Sequence, residues 1–325
     1  MHQAAPASNS RQSSAAEKFA DPVWTANGER RASVSLTRLD TVWFNTGTLC
    51  NIACEHCYIE SSPKNDRLAW LTLADALPFL DEMARLPRPV SLVGFTGGEP
   101  FMNADFVAIL EETLARGFET LTLTNALKPL EHSKADIARL AAAHGARLRI
   151  RVSLDDFREG THDRERGGGA FALALDGLEW LWRAGVRIEI AARSLQSDSE
   201  HAIRSGFAAL FATRGILLDC DDRQALVLLP EMRPDVSPPE ITEACWGILR
   251  KTPDDAMCSN ARMVVKRKGA ARPAVVACTL LPYDERFELG ATLDAAAGAV
   301  PLVHPWCATF CVLGGGSCGS MRAAG

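Results

Sequence analysis

Three cysteines near the start of the chain stand at a spacing that could do chemistry. Cys50, Cys54 and Cys57 form C-x3-C-x2-C within TGTLCNIACEHCYI. Thiolates are soft ligands, which suits iron–sulfur clusters and zinc. Three on one short loop can hold three irons of a [4Fe–4S] cluster. One iron then stays open, and something other than a side chain must bind it. His56, inside the loop, offers a fourth ligand for a zinc ion instead. Five more cysteines fall in the last quarter of the chain: Cys258, Cys278, Cys307, Cys311 and Cys318. Cys220 and Cys245 have no partner pattern and read as small buried apolar side chains.

The chain that must position these groups has 325 residues, which suggests about two domains. Its 35 Lys and Arg against 40 Asp and Glu leave a net charge of −5. That excludes the broad basic field of phosphate-driven nucleic-acid binding. No apolar run reaches the roughly 18–20 residues of a membrane span, so no membrane partner is expected. The first 20 residues lack the apolar core of a secretory signal. The expected setting is cytoplasmic and reducing, where structural disulfides are rare and metal or redox roles are commoner. Residues 1–40, rich in Ala, Ser and Gln, read as a flexible tail.

From residue 41 short β-branched runs alternate with amphipathic stretches. Strands are expected at 41–46, 90–95, 119–124, 147–153 and 186–192, with a sixth at 216–220 or 225–229. Helices are expected at 73–86 (capped by Thr72), 104–116, 134–144, 170–183, 199–213 and 239–250. Six strand–helix units in a row imply an α/β fold with a parallel sheet and right-handed crossovers. In such folds chemistry gathers at the carboxyl ends of the strands. After residue 252 the pattern changes to a β-hairpin, 261–268 and 274–278, and then to an irregular glycine-rich stretch. This places a boundary near 250, between a core of 41–250 and a small domain of 251–325.

On these motifs and their order the chain resembles the radical S-adenosylmethionine (SAM) superfamily over roughly residues 42–320. C-x3-C-x2-C follows the first strand, with Tyr58 next to its last cysteine. Gly97-Gly98-Glu99-Pro100 ends the second strand and Thr124-Asn125 the third. Val152-Ser153-Leu154-Asp155 ends the fourth, and Arg193 lies on the fifth. The resemblance implies a partial (β/α)6 TIM barrel and a [4Fe–4S] cluster on Cys50, Cys54 and Cys57. SAM would bind the open iron, and its cleavage would give a 5′-deoxyadenosyl radical that takes hydrogen from a substrate. The main chain of Gly97, Gly98 and Glu99 would hold the SAM amino group. Tyr58, Asn125, Ser153, Asp155 and Arg193 would complete the cofactor site.

The last quarter resembles the SPASM and shorter twitch extensions of that superfamily. Cys258 and Cys278 flank the hairpin, and residues 287–290 match the segment that follows. Cys307, Cys311 and Cys318 match the last ligand group more loosely. Five cysteines are too few for two clusters, so the resemblance implies one auxiliary [4Fe–4S] cluster on four of the five. Zinc is the competing reading here, and an iron–sulfur electron carrier without SAM chemistry is another. Glycines 314–316 would let amides approach the cluster, and Trp306 would shield it. Four cysteine ligands favour electron relay, hence an oxidation of a small metabolite or a peptide. Without a visible peptide-recognition domain ahead of the barrel, the reading leans to a small molecule. A flavodoxin- or ferredoxin-type reductant is implied. Lys266, Arg267 and Lys268 read as a solvated turn, with docking of an acidic reductase as a second use. Asp155, Asp156 and Tyr283 are the candidates for proton transfer to substrate.

Overall fold

A computed structural model describes residues 18–194, 198–232 and 236–316. After a two-residue strand β1 (Ser33–Val34), six strands pair in parallel, each with the next. They are β2 (Thr41–Asn45), β3 (Leu92–Thr96), β4 (Glu119–Thr124), β5 (Leu148–Ser153), β6 (Arg187–Ser194) and β7 (Leu226–Pro230). Helices cross between them: α1 (Leu73–Arg85), α2 (Phe106–Ala115), α3 (Lys128–Glu131), α4 (Lys134–His144), α5 (Glu159–Arg166), α6 (Ala170–Arg183) and α7 (Glu200–Arg214). This is the expected partial (β/α)6 barrel. Helix α1 starts where Thr72 and Asp75 cap each other's main chain, a reciprocal box that satisfies two orphan N–H groups.

Alternation along the strands makes two cores. Val42, Phe44, Val93, Phe95, Ile150 and Ile190 face outward and pack with the helices. Trp43, Leu121 and Met263 belong to a second, inner cluster. Between these apolar layers the barrel interior also holds charge. The Glu189 carboxylate accepts from Arg151 at 2.7 Å and from Arg149 at 3.2 Å. Gly94 is required by the inner layer, because a Cβ there would lie 2.3 Å from the Trp43 ring.

Three expectations change. The boundary near 250 is a change of pattern and not a break in the sheet. Strand β8 (Ala261–Val265) pairs in parallel with β2, and β9 (Ala274–Val276) and β10 (Glu288–Gly290) extend the same sheet antiparallel. The sheet order is β10-β9-β8-β2-β3-β4-β5-β6-β7. The basic turn of the hairpin is held by ion pairs: Lys266 to Asp75, Arg267 to Glu288 and Lys268 to Asp66. Secondly, residues 18–40 are no flexible tail. Strand β1 pairs with β11 (Val300–Pro301), and Glu240 binds the amides of Phe19 and Ala26 and the buried guanidinium of Arg31. Residues 1–17 lie outside the described residues. Thirdly, the sixth expected helix shrinks to α8 (Cys245–Leu249), because the segment before it runs extended beside Arg31.

Gly94→Ala is expected to destabilise the fold by about 1–3 kcal/mol, the cost of overpacking a filled interior. Denaturant unfolding of parent and variant measures it, and an unchanged midpoint would show that the Trp43 ring can move aside.

Candidate active site

The loop that carries Cys50, Cys54 and Cys57 leaves the carboxyl end of β2. It is held by main chain against the turn that leaves β3. The Thr46 amide donates to the Thr96 carbonyl at 2.8 Å, Gly98 to Gly47 at 2.8 Å and Glu99 to Leu49 at 3.2 Å. A Cβ on Gly98 would stand 2.1 Å from the Leu49 carbonyl oxygen. Gly97 has φ +138°, a conformation costly to any side chain. The two glycines therefore let one loop seat directly on the other, and both also line the cavity that opens here.

That cavity, about 190 Å³, is walled on one side by all three cysteines and by Tyr58. Asn125, Ser153, Asp155 and Arg193 stand on its other walls. All three thiols are free. Burial pushes the Cys50 thiol up to about 12 and raises Cys54 as well. A thiolate at either position needs a cation bound to it. Asn125 reaches toward the loop, donating to Asn51 Oδ1 at 2.9 Å with Cys50 Sγ at 3.8 Å. The Ser61 amide donates to Cys57 Sγ at 3.3 Å, while the Ser61 hydroxyl is buried at the cavity wall without a partner.

Glu99 departs from expectation. It does not line the cavity. Its side chain is buried and accepts from the Phe101 amide, the Thr124 hydroxyl and the Asn125 amide, so it ties the β3 turn to the end of β4. Burial pushes its carboxyl up to about 7 against those three donors. Asp155 is likewise committed. Burial alone would raise it, but Arg166 binds both its oxygens, at 2.6 and 3.1 Å, and holds it below the usual carboxylate range. Arg166 also places positive charge beside Cys54 and Cys57. Arg193 pairs with Glu165, whose carboxylate also accepts from His56 Nδ1 at 2.9 Å. His56 Nδ1 is thus engaged by Glu165, while the residue lines the same cavity as the three cysteines.

Two proton-transfer candidates lie outside the cavity. The Asp156 carboxylate is bound by the amide and guanidinium of Arg158. The Tyr283 hydroxyl donates to the Ile59 carbonyl at 2.8 Å and accepts from Asn65, with Arg67 over the ring. Both hold the structure in place.

Cys258, Cys278, Cys307 and Cys311 line a second, smaller cavity of about 20 Å³. Its other walls are apolar, with Met257, Leu281, Phe287 and Trp306. Cys307 and Cys311 sit on a π-helical segment, Cys307–Leu313. Burial raises Cys258 to about 11 and Cys307 to about 12. The amides of Gly315 and Gly316 cap that segment by donating to Cys311 and Phe310 carbonyls, so they are not the free donors expected. Cys318 lies outside the described residues. Cys258 precedes β8, whose start pairs with the start of β2, so this group lies toward the amino end of the barrel. Leu280 lines both cavities.

Residues 44–194 match the family model described as the radical SAM superfamily. They are a radical SAM domain. Among known proteins, mycofactocin maturase MftC of Mycobacterium ulcerans is 33% identical over 136 residues, 42% of this chain and 34% of that protein. The chain spans about a third of the length of the first curated relatives it matches. SuiB of Streptococcus suis bound to S-adenosylmethionine shares the fold with TM-score 0.57 at 12% identity, over 78% of this chain and 64% of that one. anSMEcpe with bound AdoMet does so with TM-score 0.55 at 13% identity, over 79% and 80%.

The radical SAM motif positions supply much of the polar cavity wall, but three of its charged contributors were not legible as such. Arg166 and Glu165 stand on α5, an all-polar helix with no apolar periodicity to announce it. Arg151 enters from β5, where a buried arginine reads as an interruption of an apolar strand. The signal that could have found α5 is its charge density directly after the fourth strand end.

Glu99→Gln removes the titration of the buried carboxyl. The folded state holds that proton to higher pH than the unfolded chain, so the parent should lose stability relative to the variant as pH rises from about 4.5 to about 7. Denaturant titrations at those two pH values test it; a parent that gains instead has Glu99 ionised throughout.

Proposed function

We propose that this chain is a radical SAM enzyme with two iron–sulfur sites. Cys50, Cys54 and Cys57 would hold the first [4Fe–4S] cluster, and Cys258, Cys278, Cys307 and Cys311 the second. The observation that carries the reading is the first cavity. It has three free thiols on one wall, and its other walls come from the ends of β3, β4, β5 and β6. When bound, the first cluster and SAM supply a hydrogen-abstracting 5′-deoxyadenosyl radical, and a second cluster fully ligated by cysteine supplies an electron acceptor.

The chain's own part is placement. Arg166 beside Cys54 and Cys57 favours the thiolate form that ligation requires. The unpartnered Ser61 hydroxyl, the Gly97–Gly98 turn and Asn125 offer polar contacts to a cofactor. Arg193 offers a positive group for a carboxylate, shared with Glu165. Trp306, Met257 and Phe287 keep water from the second site.

The match of residues 44–194 to the radical SAM family model supports iron–sulfur over zinc. Among the described residues the one group of three possible ligand atoms within 4.8 Å of one another is Glu55, His56 and Glu165.

We further propose an oxidative modification as the reaction, in a reducing cytoplasm with a flavodoxin- or ferredoxin-type donor. A peptide is the favoured substrate class. MftC is named a maturase, and anSMEcpe, of the same fold, has been solved with AdoMet and a bound peptide. Relatives named AdoMet-dependent heme synthase and GTP 3',8-cyclase support the small-molecule reading beside it.

Anaerobically reconstituted protein should hold about eight irons per chain, as two four-iron clusters require. With dithionite and SAM it should form 5′-deoxyadenosine, measured by liquid chromatography. Cys50→Ala should reduce that product to the level found without protein. Colourless protein that binds zinc and yields no 5′-deoxyadenosine would sink the reading.

A further inference from the structure

Arg262, on β8, is 1% exposed. Its Nε donates to the Ala296 carbonyl at 2.7 Å. Nη1 donates to the carbonyls of Cys258 and Ala261 at 2.6 and 2.8 Å, and Nη2 to that of Gly298 at 3.1 Å. All four acceptors are neutral main chain. The other buried arginines each face a carboxylate: Arg31 faces Glu240, Arg149 and Arg151 share Glu189, and Arg204 faces Glu200. Among the described residues Arg262 faces none.

A buried cation without an anion is costly, and carbonyl dipoles offset only part of that. Arginine cannot escape by losing its proton. No described side chain supplies the missing negative charge, and a bound group would. One of the four carbonyls belongs to Cys258, whose thiol lines the small apolar cavity together with Cys278, Cys307 and Cys311. Protonated thiols carry no charge. A cluster held by four thiolates carries a net negative charge that grows by one when it accepts an electron. Fixed charge near such a cluster is one of the levers that set its potential. With four of its donors spent on carbonyls, the guanidinium is clamped and acts on the sulfurs through its charge.

We propose that Arg262 is the built-in counter-charge of the second iron–sulfur site, a positioning residue that favours the reduced cluster. This rests on the reading of Cys258, Cys278, Cys307 and Cys311 as cluster ligands. It adds a specific role in electron relay, because the acceptor would be easier to reduce than the same cluster without the cation.

The test uses the full chain carrying Cys50→Ala, Cys54→Ala and Cys57→Ala, so that remaining iron belongs to the second site. The protein is reconstituted without oxygen, its iron is determined, and the cluster is titrated with dithionite under electron paramagnetic resonance. In this background Arg262→Gln should lower the ratio of reduced to oxidised cluster at a fixed potential at least about tenfold, equivalent to about 59 mV for one electron. Arg262→Lys, which keeps the charge but not the fork, should stay within about threefold of its parent. Loss of iron from the Gln variant with retention in the Lys variant supports the same conclusion. An unchanged ratio in the Gln variant overturns the proposal. So does a Lys variant that shifts, or loses iron, as much as the Gln variant, since the arginine is then only a scaffold. If the triple-alanine parent holds no iron, the second-cluster reading itself fails before Arg262 is at issue.

Discussion

The contact between residues 46–49 and 96–99 is the constraint on which the mouth of this barrel depends. Two loops that leave adjacent parallel strands meet main chain to main chain, at distances that leave no room for a Cβ on Gly98. That contact orients the cysteine loop. Glu99 then extends the register outward by binding the end of β4, and Asn125 on β4 reaches back to the cysteine loop. A closed circuit of three strand ends results, built largely from backbone and one buried carboxylate. Gly97, Gly98 and Asn125 belong to this circuit and also line the cavity, so it is tied directly to the site.

The two cysteine groups live in contrasting surroundings. The first lies in a polar mouth where Arg166 and Arg193 are each balanced by an acid. The second is enclosed by apolar side chains, and of the guanidinium groups near it, Arg31 and Arg286 are paired with acids while Arg262 is clamped by carbonyls. A polar, roomy site suits a cofactor that must be exchanged, whereas an enclosed one suits a group that only gains and loses an electron. Because β8 joins β2 directly, the two sites share one sheet, and Leu280 lies at the wall of both. Transfer between them would not depend on a flexible domain interface.

Much of the architecture was legible in local pattern. The strand at 119–124 and the helices at 134–144 and 170–183 appear with the bounds that periodicity assigns, because each buries one clear apolar face. Helix α5 was not legible, since its eight residues include no apolar side chain and its position is held by ion pairs to other elements. The segment before α8 reads as helix by composition, but Glu240 within it is claimed by Arg31 and two amides of the amino-terminal segment. Asp156 and Tyr283 have the chemistry of proton donors, yet Asp156 is spent on nearby Arg158 and Tyr283 on the distant Ile59 carbonyl and Asn65.

The spacing of the cysteines, the paired glycines and the order of motifs were determined by the sequence alone, because short-range spacing and strand periodicity are local properties of the chain. Three matters were decided only by tertiary structure. Glu99 turns away from the cavity that its neighbours line. The carboxyl-terminal hairpin continues the barrel sheet. Four cysteines spread over more than fifty residues converge beside an unpaired arginine. Each depends on which distant groups satisfy a buried charge or an open strand edge. Such partners are chosen by the whole packed molecule, and no window of sequence contains them.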